Sequence, residues 1–117
     1  DTWYGIARGT YLKSGKSSLS KIDSTHASGT GETFAHKKCD RVYVRIYLDK
    51  SDTAAYGSWG TVNYWTGTAS DASYATVYSG SYTVTKNKYY RVTGAHSVTE
   101  NGTTEATNTS TNAKLFN

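Results

Sequence analysis

Three histidines (His26, His36, His96) and a single cysteine, Cys39, have the most scope for chemistry in this chain of 117 residues. His36-x-x-Cys39 has chelating spacing. Structural zinc, however, takes four ligands, commonly from two such pairs, and a second pair is absent. On a straight strand positions 36 and 39 point to opposite faces, so only a turn would bring them together. Asp49, Asp52 and Asp71 are the carboxylates near turn-rich segments. Calcium needs about six to eight oxygens with carboxylates grouped, whereas Asp in a turn commonly bonds its own backbone. The expectation is no metal and no cofactor. For nucleophilic catalysis, GSWG at 57–60 lacks the second spacer of a G-x-S-x-G elbow and a following helix. For glycan hydrolysis, two facing carboxylates are required. Glu32, Glu100 and Glu105 are the only Glu residues, and the last two flank the Asn101-Gly102 turn, where they would be water-exposed cross-strand neighbours. The expectation is no catalytic residue and no enzyme.

The aromatic residues carry more weight. Tyr numbers 11 and Trp 3, while Leu, Ile, Val and Phe together number 16. Each aromatic buries roughly 150–250 Å², so rings replace the missing aliphatics in a thin core. Trp59 and Trp65 share strand parity with Asn63, and Val62 and Tyr64 face the other way. Two readings follow: either Trp59 or Trp65 is a central core residue, or Val62 and Tyr64 point inward and both tryptophans lie on one surface beside Asn63. Flat rings with amide and hydroxyl groups suit a sugar face or a protein partner. Tyr43 and Tyr47 flank Arg45 on the polar side of the segment 41–49 and invite the same pair of readings, sheet-stabilising pairing or ligand contact. The expected ligand-binding set is Trp59, Trp65, Asn63, Tyr56, Tyr43 and Tyr47.

Those residues need a scaffold of strands. Helical periodicity is nearly absent, and β-branched and aromatic residues dominate. In 41–49, Val42, Val44, Ile46 and Leu48 alternate with Tyr43, Arg45, Tyr47 and Asp49, the signature of a sheet with one core face. Further strands are predicted at 61–66, 74–85, 89–99, 103–109 and 111–116, with a break near Asn108, and weaker ones at 3–12, 17–23 and 30–38. Gly67–Ser73 reads as a polar turn and Gly80 as a mid-strand bulge. Asn101-Gly102 is the strongest hairpin signal, because both residues tolerate positive φ. Seven to eight short strands at this spacing predict a single domain over 1–117. The predicted fold is all-β, an antiparallel immunoglobulin-like or fibronectin type III-like sandwich, with a small barrel as the alternative.

The net charge of +4 is spread along the chain, with Lys13/Lys16/Lys21, His36-Lys37-Lys38 and Lys86/Lys88/Arg91 as the denser stretches. It favours an anionic surface such as a cell wall or acidic glycan, or it reflects solvated edge strands. No recognition helix or RNP-type motif supports nucleic-acid binding. No apolar run approaches the ~20 residues of a membrane helix, so no membrane insertion is expected. Asn101-Gly102-Thr103 and Asn108-Thr109-Ser110 are glycosylation triplets in a eukaryotic secretory route and incidental otherwise.

The order VRIYLDK (44–50), SWGTVNYW (58–65), SYTV (81–84), KYYRVTGAHSV (88–98) and ENGTTEATNTST (100–111) resembles small secreted proteins of Gram-positive Firmicutes grouped as a domain of unknown function. The resemblance spans about residues 41–116 and leaves the first 40 outside. It implies export, a wall-proximal or extracellular location and a β-sandwich, and it brings no site residues. The start at Asp1 fits a processed mature protein. The expected role is a secreted, non-catalytic binding module for a cell-surface or cell-wall component, glycan or protein. The alternative is a self-assembling extracellular filament subunit, since Ser/Thr/Tyr strands at 74–85 and 103–112 carry little charge and no Pro to block edge pairing.

Overall fold

Inner and outer residues alternate along β3, His26–Ser51, for nearly its whole length. The computed structural model describes residues 2–6, 10–52 and 58–117. Around β3 lie β1 (Thr2–Ile6), β2 (Leu12–Asp23), β4 (Gly60–Tyr78), β5 (Tyr82–Thr83), β6 (Lys88–Glu100), β7 (Thr103–Ser110) and β8 (Lys114–Phe116). All pairings are antiparallel and belong to one sheet, ordered β1-β2-β3-β6-β7, with β4 and β5 also on β3 and β8 on β6.

The sheet curls because β3 has two unlike limbs. The inner face of the first limb carries small residues, Ala27, Gly29, Gly31, Thr33 and Ala35. The inner face of the second carries Val42, Val44, Ile46 and Leu48, all buried. Small residues on one limb accept large ones from the other. A Cβ on Gly31 would lie 2.5 Å from the Ile46 Cγ2 and 2.9 Å from the Val44 Cγ2, so the glycine is what allows the close approach. Between the limbs the register with β4 breaks: Phe34 pairs with Tyr74 and Cys39 with Ala72, so β3 spends four residues where β4 spends one. Asp71, with φ +50°, kinks β4 beside this corner. Burying each large aliphatic contributes roughly 1.5–3 kcal/mol.

Two apolar clusters fill the interior. One gathers Leu19, Ile46, Leu48, Tyr90, Val92 and Phe116, and the other Leu12, Cys39, Val42, Val44 and Val98. Between them along β6 sits His96, only 1% exposed, and it is fully tied. Its Nδ1 lies 2.8 Å from the Thr33 hydroxyl and its Nε2 2.7 Å from the Thr109 hydroxyl. Gly15 and Gly94 leave room for the ring; a Cβ on Gly15 would sit 2.4 Å from it. Burial holds the imidazole neutral and pulls its pKa down to about 4.

One carboxylate ties the start of β2 to β7. Glu105 of β7 accepts the backbone N–H groups of Thr10, Tyr11 and Leu12 at 3.0, 2.8 and 2.8 Å. These bonds, those of Leu12 and Tyr11 foremost, hold its carboxyl below the usual range. Glu105 was expected as an exposed neighbour of Glu100; its side chain instead reaches across the sheet to β2.

Several sequence expectations change here. The strands at 30–38 and 41–49 are one strand, and Gly67–Ser73 is a paired part of β4, not a turn, because Arg41–Val44 of β3 runs alongside it. Gly80 (φ +70°) sits in the turn after β4. The break after β7 comes at 111–113, three residues beyond Asn108. Asn101 and Gly102 have φ of +51° and +77°, as a two-residue type I′ hairpin requires. In place of two separate sheets there is a single sheet curled so that its parts enclose the core. No helix long and apolar enough to cross a membrane occurs among the described residues.

Candidate functional site

The outer face of β4, the second limb of β3, β6 and β7 brings together three of the six candidate residues, Tyr43, Tyr47 and, at its end, Trp59. Registers set out its rows: Tyr64, Tyr47, Thr93 and Ser110; then Thr66, Arg45, Ala95 and Asn108; then Thr68, Tyr43, Ser97 and Ala106. Tall side chains stand on β3 and β4, and short ones on β6 and β7. The step between them leaves two shallow concavities. One, of about 610 Å³, is lined by Tyr47, Arg91, Thr93, Ala95, Asn108 and Ser110 among others. The second, of about 420 Å³, is lined by Arg41, Tyr43, Arg45, Ser97, Thr99 and Thr104.

Rings and guanidinium groups order the tall side. Arg45 lies 4.7 Å from the Tyr64 ring centre and 5.9 Å from that of Tyr43, while Arg41 lies 5.2 Å from Tyr43. Arg45 Nε donates to the Thr66 hydroxyl at 3.0 Å. A hydrogen bond with Tyr47, then the nearby tyrosines, holds the Arg45 pKa above its ordinary value. Tyr47 and Tyr64 pack tilted at 6.2 Å. Such cation–π contacts contribute about 0.5–1 kcal/mol each at exposed sites.

At the upper end Asp49 organises a knot. It accepts from Thr61 (2.8 Å), Thr93 (3.1 Å) and Arg91 Nε (3.3 Å). Arg91 in turn stacks 4.3 Å from the Trp59 ring centre. Beside it Lys50, Asp52, Ser58, Trp59 and Thr61 line a third hollow, of about 360 Å³.

The two tryptophans do not share a surface. Asn63 pairs with Leu48, but Thr61 pairs with Asp49, so Val62 is an extra residue that reverses parity. Trp65 points inward, packs on the first apolar cluster and meets Tyr82 edge-to-face at 5.4 Å. That corrects its placement in a surface set with Trp59. Asn63 is exposed, and its side-chain oxygen accepts the Tyr64 N–H at 2.8 Å. Tyr43 and Tyr47 are half-buried on the outer face. Tyr56 lies outside the described residues. Sequence reasoning missed Tyr64, Arg41 and Arg91 as members of this face. Alternation alone points to Arg41, and to Tyr64 once Trp65 is the inward residue; it is the side of Trp59 that depends on the bulge, which leaves no sequence mark.

The other chemical candidates are scattered. His36 is exposed, whereas Cys39 is buried, with its thiol pKa raised by that burial. His26 bonds Asp23 at 2.8 Å in the β2–β3 turn. No three His, Cys, Asp or Glu side chains among the described residues are grouped to hold a metal ion.

Together these features describe an all-β module with one ring- and arginine-rich outer face. The chain belongs to a family of unknown function, DUF6147, whose profile matches residues 1–114 and so takes in the first 40 residues that the shorter resemblance left out. Searches of the curated proteins and of the solved structures returned no match.

Proposed function

We propose that this protein is a secreted, non-catalytic binding module of sandwich-like build that recognises a component of a cell surface or cell wall. The observation that carries this reading is the row Tyr43, Arg45, Tyr47 and Tyr64 standing over a trough floored by Ala95, Ser97, Asn108 and Ser110. Rigid amphipathic rings beside short hydroxyl and amide groups favour a polar, extended ligand over an apolar one. Trp59 and Arg91 extend the same face, whereas Asn63, opposite Leu48, stands on the side of Trp65 and is not part of it. Retention on washed Gram-positive wall fragments tests it. Wild-type protein should be retained, and Tyr47→Ala, Tyr64→Ala and Trp59→Ala should each reduce retention with the melting temperature little changed. Undiminished retention of all three variants would refute the assignment to this face.

A second reading, self-assembly, has its own support. Of the large apolar side chains exposed among the described residues, Val62, Tyr64, Tyr74 and Tyr78 all lie on β4, with Ile22 as the other. Among the described residues β4 pairs only with β3, and Asp71 is its one charged residue. Identical edges meeting there would face little charge repulsion. Light scattering at rising protein concentration separates the readings: a subunit of a filament grows, and Val62→Lys stops it, while a binding module stays monomeric.

A further inference from the structure

We propose that the ligand of the outer face is an acidic polysaccharide, and that its carboxylate or sulfate groups seat between Arg41 and Arg45. This inference rests on the binding reading above and names the chemistry of its ligand.

The two arginines occupy the same face of β3 four residues apart, about 13 Å along the strand. The hollow between them has Tyr43 as its base and the hydroxyls of Ser97, Thr99 and Thr104 on its far wall. Its lining contains no carboxylate. Among the described residues neither Arg41 nor Arg45 forms an ion pair, although Arg91, on the same face, is matched by Asp49 at 3.3 Å. Arg45 is nonetheless held in place, by the Thr66 hydroxyl at 3.0 Å and the Tyr64 ring. A guanidinium positioned by neutral groups keeps its full charge for an incoming oxyanion, which it can grip with two parallel N–H bonds. Little ordering entropy then remains to be lost on binding.

The surroundings select a sugar chain over an acidic peptide. Thr66, Thr68 and Ser70 of β4 and Thr93, Ser97 and Thr99 of β6 border the arginine row on both sides. Hydroxyl groups in such density match a polyol. A peptide would be expected to use apolar anchors, and both hollows on this face are shallow and open to solvent. Nearby Tyr64, 54% exposed, offers a ring surface for a pyranose.

Calorimetric titration with polygalacturonate (carboxylate), dextran sulfate (sulfate ester), uncharged dextran and poly-L-glutamate tests this. At least one of the first two should bind, which of them does identifying the oxyanion, and dextran should not. The double variant Arg41→Ala/Arg45→Ala should weaken that binding at least about tenfold, the scale of one lost charge-assisted bond. Lys86→Ala, which removes an exposed charge elsewhere, should change it less than about twofold. Arg45→Lys, which keeps the charge but not the fork, should fall between. Thermal melts of each variant confirm that the chain is folded. Equal losses from Lys86→Ala and the double variant, or equal affinity for poly-L-glutamate, would overturn the inference. So would a failure of both acidic polymers to bind while wall fragments are still retained through Tyr47, an outcome that leaves the broader reading standing. Loss of wall retention together with polymer binding would remove both.

Discussion

The molecule has two outer faces, and they settle their charges differently. On the face formed by β2, the first limb of β3 and the end of β4, Lys16 pairs with Glu32 at 3.4 Å and the Tyr74 hydroxyl donates to the same carboxylate at 2.6 Å. Phe34 and Tyr74 pack beside them at 5.2 Å. Lys16, Glu32 and Tyr74 thus satisfy one another within the protein. On the opposite face Arg41 and Arg45 are steadied by rings and a hydroxyl, with no carboxylate in reach. Both faces draw on β3 and β4, so these shared strands alone do not require the difference. A closed set of pairs serves the protein itself; an open one leaves charge directed at something outside it.

The largest expected effect tests whether stability resides in the shared interior rather than in either face. Ile46→Ala, at a side chain 1% exposed, should lower unfolding free energy by about 2–5 kcal/mol in urea titrations. A cost under 1 kcal/mol would mean that the limbs of β3 do not pack as described. Acid is the next lever. The His96 pKa is pulled to about 4 from an ordinary 6.5, so the unfolded chain takes up that proton first. Stability should be full above pH 6.5 and fall by about 3 kcal/mol as pH drops to 4. Glu105, whose carboxyl is also depressed, adds loss of the same sign below its ordinary value of 4.5. Denaturant midpoints measured from pH 7.5 to 4 check the slope, and a flat profile would show that the imidazole is not buried neutral.

The smallest effects sharpen the contrast between the faces. Tyr47→Ala and Glu32→Ala should each cost under about 1 kcal/mol, as cross-strand contacts at a surface do. Only the first should weaken wall or polysaccharide binding. Equal binding losses from both would erase the distinction between an open and a closed face.

Much of this architecture could be read from residue order. The alternation Val42 to Leu48 gave the core face of β3, and Asn101-Gly102 gave the tight hairpin. The 26-residue length of β3 was hidden: 30–38 and 41–49 read as separate strands, and Gly29 and Gly31 gave no sign that Val92, Ile46 and Val44 pack closely on them. Gly15 is explained in the same way by His96, a partner far away in sequence. Of the site, Tyr43, Arg45 and Tyr47 were visible as a row. The separation of Trp59 from Trp65 was not, since one extra residue at Val62 changes parity without any compositional signal.

Because β3 runs through both apolar clusters, neither can come apart while the other persists. Melting should therefore be a single event, with calorimetric and van't Hoff enthalpies in agreement. A cut anywhere along this spine would be felt at both ends of the molecule. Natural variation in length is better accommodated at the hairpin tips than between residues 26 and 51, where an added residue would exchange the interior and exterior of everything after it.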